Sequence, residues 1–104
     1  MSQDINQIEK IPPQSLEAEM SLLGSILLDK DAMLKIADIV QAEDFYKNAH
    51  ARIFEAIIDL YQKNEPIDLL TLSNRLTEKN QLEQVGGHSY LVSLTNIVPT
   101  AAHV

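Results

Sequence analysis

An all-α fold is what this sequence predicts, and three observations carry that expectation. Apolar residues recur at helical spacing in several separate stretches. Between the stretches stand residues that start or stop helices, Ser15, Asp31, Asn64-Glu65-Pro66, Asp68 and Gly86-Gly87. Nowhere does an apolar/polar alternation of period two run long enough for a half-buried strand.

In chain order, residues 1–13 read as a flexible polar tail in which Pro12-Pro13 is a stiff extended spacer. Ser15 suits the N-cap of a first helix, with Glu17 and Glu19 placing negative charge at its positive end. Leu16, Met20, Leu23 and Leu27 form its stripe, widened by Leu22 and Ile26. Ser21, Gly24 and Ser25 give it a small-residue side that a neighbour can approach closely. Inside a helix Gly24 costs about 1 kcal/mol relative to alanine, so a packing role is expected of it. A second helix starts near Asp31 and carries Met33, Ile36, Ala37 and Val40. A third begins around Asn48 and presents His50, Phe54, Ile57 and Tyr61, with Ile53 and Leu60 beside them. Asn64-Glu65-Pro66 ends it, through the constraint that a proline places on the residue before it. Asp68 is the clearest cap in the chain and opens a fourth helix with Leu69, Leu72 and Leu76 inward. A fifth starts near Gly87 and uses Tyr90, Leu91, Leu94 and Ile97. Pro99-Thr100-Ala101-Ala102 has the form of one more helix start, with Thr100 as N-cap, two residues before the sequence ends.

Composition bounds the function. With 104 residues, 45% hydrophobic and 22% charged, the chain is the size of one soluble globular domain. It has no cysteine, so disulfides and thiolate metal sites are excluded and a reducing compartment fits. No signal-peptide pattern opens it, and no apolar run approaches the roughly 20 residues that span a bilayer. Its net charge is −7, with eight Lys and Arg scattered among fifteen acids. Nucleic-acid affinity rests on clustered cations and stacked aromatics, so direct DNA binding is not expected.

No catalytic, cofactor-binding or metal-ligating residue is expected. The three glycines, Gly24, Gly86 and Gly87, do not form a phosphate-cradling loop, and no Gly-Lys-Ser or Gly-Lys-Thr follows them. Gly86-Gly87 reads instead as a joint whose backbone needs positive φ before a helix. His50, His88 and His103 lack the paired spacing of a zinc site. His50 is expected to pack or cap near the Phe45-Tyr46 corner. Asp29 with Asp31, and Glu43 with Asp44, read as caps and solvated loops rather than acid-base pairs. Asp44-Phe45-Tyr46 is either an exposed binding anchor or a plug for the core, and the plug is favoured. Arg52 and Arg75 either bridge to a partner or pair with Glu55 and Glu78 on their own helices.

Five segments fall in a fixed order: Ser15-Leu16-Glu17-Ala18-Glu19, Asp44-Phe45-Tyr46, His50-Ala51-Arg52-Ile53-Phe54, Pro66-Ile67-Asp68-Leu69-Leu70-Thr71-Leu72, and Val85-Gly86-Gly87 with Tyr90-Leu91 behind it. Their order and spacing resemble the N-terminal helical domain of the bacterial replicative DNA helicase, the DnaB family, from about Ile11 to the last residue. The resemblance implies a compact bundle of five to six short helices, here with 14–98 as the globular unit and 99–104 as the truncated start of a helical hairpin. The hairpin and the ATP-driven motor domain would follow. It further implies a collar on a hexameric ring, a trimer of dimers around single-stranded DNA, that recruits primase, with a helicase loader as a further candidate partner. ATP and magnesium would belong to the motor, which moves 5′ to 3′, and the whole would be cytoplasmic. The alternative is an independent α-helical adaptor or regulator with a natural stop after Val104. The two differ in whether the reading frame continues to a phosphate-binding loop.

Overall fold

In the computed structural model of the chain, residues 15–29 and 31–97 are described. They fold into five α-helices and one 3-10 turn, with no strand among the described residues. The helices are α1 (Ser15–Leu28), α2 (Ala32–Ile36), α3 (Asn48–Gln62), α4 (Leu69–Glu78) and α5 (Gly87–Ile97), and the 3-10 turn is Ala42–Asp44. Helix α1 lies chiefly against α5 and also meets α3, while α4 packs on both α3 and α5. The core fills the space between these four. Leu23 and Ile26 enter it from α1, Ile53, Phe54 and Ile57 from α3, Leu72 and Leu76 from α4, and Leu91 and Leu94 from α5. Gly24 is buried and Ser21 and Ser25 half-buried, which is the packing role expected of the small-residue side.

Local chemistry sets most boundaries. Asp68 accepts a hydrogen bond from Thr71 N at 2.9 Å, and Thr71 Oγ1 accepts from Asp68 N at 3.1 Å. This reciprocal pair satisfies two backbone donors at the start of α4. Leu72 and Leu76 are fully buried, as expected of that helix, while Leu69 is only half-buried.

Three expectations about helix ends are corrected, one of them only in its cause. Ser15 is the first residue of α1 and not the cap preceding it. The stop of α3 falls at Asn64-Glu65-Pro66 as expected, but the means is Asn64, which enters the left-handed region at φ 58°, rather than the proline. The Asn64 and Glu65 amides then donate to Tyr61 and Leu60 carbonyls, closing a two-bond C-terminal motif. Asn80, at φ 59°, ends α4 in the same way through Leu76 and Thr77 carbonyls. Finally, α2 is a helix of five residues and does not continue to Val40. Only Met33 is buried in it, and the chain from Ala37 turns back through bonds from Ile39 N and Val40 N to Ile36 O. One buried side chain supports little more than one turn, because helix nucleation is costly without packing. Asp31 precedes α2 but makes no side-chain cap; Asp29 Oδ1 accepts from Asp31 N at 3.0 Å instead.

The expected pairs Arg52–Glu55 and Arg75–Glu78 form at 2.9 and 3.1 Å. Arg75 also bridges from α4 to Asp59 on α3 and, at 2.9 Å, to Glu65 in the loop. The predicted helix start at residues 99–102, His103 and the tail 1–13 lie outside the described residues.

Candidate functional site

Four of the five sequence segments meet at one corner, where α1, α3 and α5 come together. Glu19, in the second turn of α1, is buried and turns its carboxylate toward the start of α3. There it accepts from the Tyr46 and Lys47 backbone amides. Lys47 is the N-cap residue of α3 and supplies no side-chain cap of its own. Glu19 thus brings from α1 the acceptor and the negative charge that this helix start lacks. The expectation that Glu19 serves the N-terminus of its own helix is corrected accordingly; Glu17 alone lies in that first turn.

The same carboxylate meets His50 Nδ1 at 2.7 Å, and His50 Nε2 meets the Tyr90 hydroxyl at 2.6 Å. A carboxylate only accepts, so Nδ1 carries the proton, and in the neutral ring Nε2 accepts from Tyr90 O–H. His50 is fully buried yet has a partner on each ring nitrogen, as a buried polar group requires. The rings add geometry. His50 and Tyr90 lie nearly parallel, 13° apart with centroids 6.0 Å distant, and Phe45 packs edge-on to His50 at 6.5 Å. Phe45 also touches Phe54, centroids 5.0 Å apart. On the solvent side, Lys47 Nζ stands 5.5 Å over the Tyr90 ring. The Gly86-Gly87 joint, at φ 111° and 79°, delivers Tyr90 to this place as α5 begins.

A carboxylate, an imidazole and a hydroxyl in sequence match the residue types of a hydrolytic relay. The chemistry does not follow. The terminal hydroxyl is phenolic, and burial together with the Glu19 charge pushes its pKa up, away from the nucleophilic form. The imidazole is sealed from solvent. What the arrangement does is fix three helices relative to one another by directional bonds. An open hollow of about 230 Å³ between Thr77, Asn80, Leu82 and Glu83 offers one carboxylate and no base beside it. Among the described residues, no three His, Asp or Glu side chains converge to hold a metal ion.

The other residues singled out from the sequence fall elsewhere. Phe45 is the core plug, but Tyr46 is 61% exposed, so the corner is split between the two readings. His88 is hydrogen-bonded through Nδ1 to Ser73 at 2.8 Å, joining α5 to α4. Asp44 accepts from Gln41 N at 2.8 Å and Glu43 is exposed. The Pro66–Leu72 segment stays apart from the corner as the cap of α4.

With that geometry in place, comparison with known proteins is direct. The family model described as the DnaB-like helicase N terminal domain matches residues 11–104. A replicative DNA helicase DnaB of Geobacillus stearothermophilus is 47% identical over 96 residues, 92% of this chain and 21% of that protein. The replicative DNA helicase DnaC of Bacillus subtilis is 40% identical over 96 residues, again 92% of this chain and 21% of that protein. Among solved structures, the N-terminal domain of DnaB helicase from Mycobacterium tuberculosis superposes with a TM-score of 0.82 at 43% identity. It covers 89% of this chain and 67% of that one. The chain therefore spans about a fifth of the length of the full helicases it matches.

Proposed function

Because the chain belongs to the family of DnaB-like helicase N-terminal domains, we propose that it is the assembly and docking domain of a hexameric replicative helicase. Its folded unit is residues 14–98, and it is not the seat of catalysis. The parent protein unwinds duplex DNA 5′ to 3′ with ATP and magnesium in the cytoplasm. This domain contributes to the collar, a trimer of dimers, and to recruitment of primase, with a helicase loader as a further partner.

One observation carries the reading. The family segments of this chain are spent on joints and on the buried Glu19–His50–Tyr90 chain, so the domain is built to hold a shape and present its surface. Its charge of −7 supports partners that are proteins rather than phosphate backbones. No helix among the described residues is long and apolar enough to cross a membrane.

Sedimentation tests the proposal. A stable interface buries on the order of 1,200–2,000 Å² in total, and on this reading most of that area lies on the hairpin that follows the domain in the family. This chain is expected to run as a monomer or weak dimer. A version extended through the hairpin is expected to self-associate and to bind a primase C-terminal domain. A stable hexamer from this chain alone, or no gain from the extension, overturns the assignment. Neither magnesium-dependent ATP turnover nor a tight, salt-sensitive complex with a single-stranded oligonucleotide is expected from this chain. Either result would count against it.

A further inference from the structure

Among the described residues, four of the six large hydrophobic side chains left exposed, Leu28, Leu34, Ile39 and Tyr46, fall within one stretch of the chain. Leu28 is 61% exposed at the end of α1, and Leu34 and Ile39 are 66% and 72% exposed on and just after α2. Met33 points inward from the same short helix, while Leu34 on it and Ile39 in the turn that follows face solvent. Single exposed leucines are ordinary, whereas a run of them on a helix with one buried side chain is a face without a partner.

The charge around that face is one-sided. Asp31, Asp38 and Glu43 are exposed and make no side-chain hydrogen bond or ion pair among the described residues, while Asp29 and Asp44 are engaged with backbone amides. Lys35 is the one cation on the outer side of α2; Lys30 lies outside the described residues. A second copy of the chain docked face to face would oppose these carboxylates with their own equivalents, which costs energy at low salt. An anionic lipid surface or a nucleic acid meets the same repulsion.

We infer that the outer side of α2 and the end of α1, with Leu28, Leu34 and Ile39 as its apolar floor and Asp31, Asp38 and Glu43 as its rim, is a docking surface for a basic amphipathic helix of a second protein. Such a helix lays leucine-type anchors at i, i+3 or i+4 on the floor and turns lysine or arginine toward the rim. The rim sets the association rate and the choice of partner, and the floor sets the residence time. The inference rests on the docking half of the proposed function and is independent of ring assembly.

The test is a titration of the isotope-labelled chain with a synthetic leucine–lysine amphipathic peptide about five helical turns long. Two peptides serve as controls, one with glutamate in place of lysine and one with the same residues scrambled. Backbone amide shifts are expected to centre on residues 28–44. Leu34→Ser with Ile39→Ser is expected to weaken binding about tenfold. Asp31→Lys with Asp38→Lys is expected to weaken it and flatten its salt dependence. All four positions are exposed, so circular dichroism should show the fold retained in both variants. The inference is overturned by no shifts, by shifts spread over acidic residues elsewhere, or by equal binding of the scrambled or glutamate peptide. It is equally overturned if the 28–44 amides move with protein concentration alone, which makes a second copy the occupant. No primase enters the titration, so its failure and a failure of primase recruitment in the sedimentation experiment remain separate results.

Discussion

Helix α3 and helix α2 are near neighbours in sequence and built on opposite terms. In α3, seven of fifteen residues are buried, its start is capped from α1 by Glu19, and its end is closed by Asn64. In α2, one of five residues is buried, and Asp31 provides no side-chain cap. The first has its helix ends and apolar surface accounted for within the fold. The second leaves Leu34 facing water, and the segments on either side of it leave Ile39 and the carboxylates of Asp31 and Asp38 exposed. The domain therefore keeps rigidity and recognition apart: bonds that define the shape converge on α3, and surface available to others collects on α2.

The most direct way to break this comparison is Phe54→Ala in the middle of α3. Phe54 is fully buried against Phe45, so truncation should cost roughly 3–5 kcal/mol in urea unfolding, the largest effect of the set. A loss below that of a cap substitution would mean that α3 is not the organising helix. Next comes Tyr90→Phe, which keeps the ring and leaves His50 Nε2 buried without a partner. An effect of about 1–3 kcal/mol is expected. It carries a pH signature. The Tyr90 hydroxyl has its pKa raised above 10.0, so its contribution is complete below the unfolded value and is lost as pH rises through the folded one. The wild-type chain should thus lose stability in alkali more steeply than the variant, and parallel curves would show that the hydroxyl is not linked to the fold.

Asp68→Ala removes a cap without touching the corner, and about 1 kcal/mol is expected. Hydrogen bonds from the Thr71 backbone and hydroxyl hold the Asp68 carboxyl below its ordinary 3.8. A depressed pKa contributes stability above the unfolded value and loses it as pH falls through the folded one, so the variant's acid limb should be shallower. Smallest of all, Leu34→Ser on α2 should change stability by no more than about 0.5 kcal/mol, since the side chain is 66% exposed. A loss of a kilocalorie or more would show α2 contributing to the core, and would remove the contrast with α3.

How much of this fold is legible in the sequence follows the range of the interactions involved. Asp68 and Thr71 are three apart, so their cap is visible in the sequence, as are the i,i+3 pairs of Arg52 and Arg75 and the apolar stripes of α3 and α4. Asn64 and Asn80 also act locally, but their left-handed φ competes with many other uses of asparagine, and beside Asn64 the proline at 66 offers a stronger signal for the same stop. Glu19 and His50 are 31 residues apart, and His50 and Tyr90 are 40. No spacing rule connects such pairs, although each residue stands in a segment that marks the family. Arg75 shows both ranges: its bond to Glu78 is legible, while those to Asp59 and Glu65 depend on how α4 lies across α3. The pattern overstates the length of α2 because four apolar residues at helical spacing describe a possible stripe, not the amount of core available to cover it.

The Gly86-Gly87 joint bears on how such a domain can diverge. A β-carbon at Gly86 would stand 2.7 Å from the Tyr90 β-carbon, whereas one at Gly87 would meet nothing within 4 Å. Both positions carry positive φ and disfavour side chains, but only at Gly86 does a single added methyl displace a neighbour as well. Through Tyr90 that displacement reaches His50 and then Glu19, on two other helices. A lineage changing one residue at a time meets a wall at Gly86 and a slope at Gly87. Position 90 can change while Gly86 stays, but no residue at 90 other than glycine removes the β-carbon that closes position 86, so the constraint runs one way.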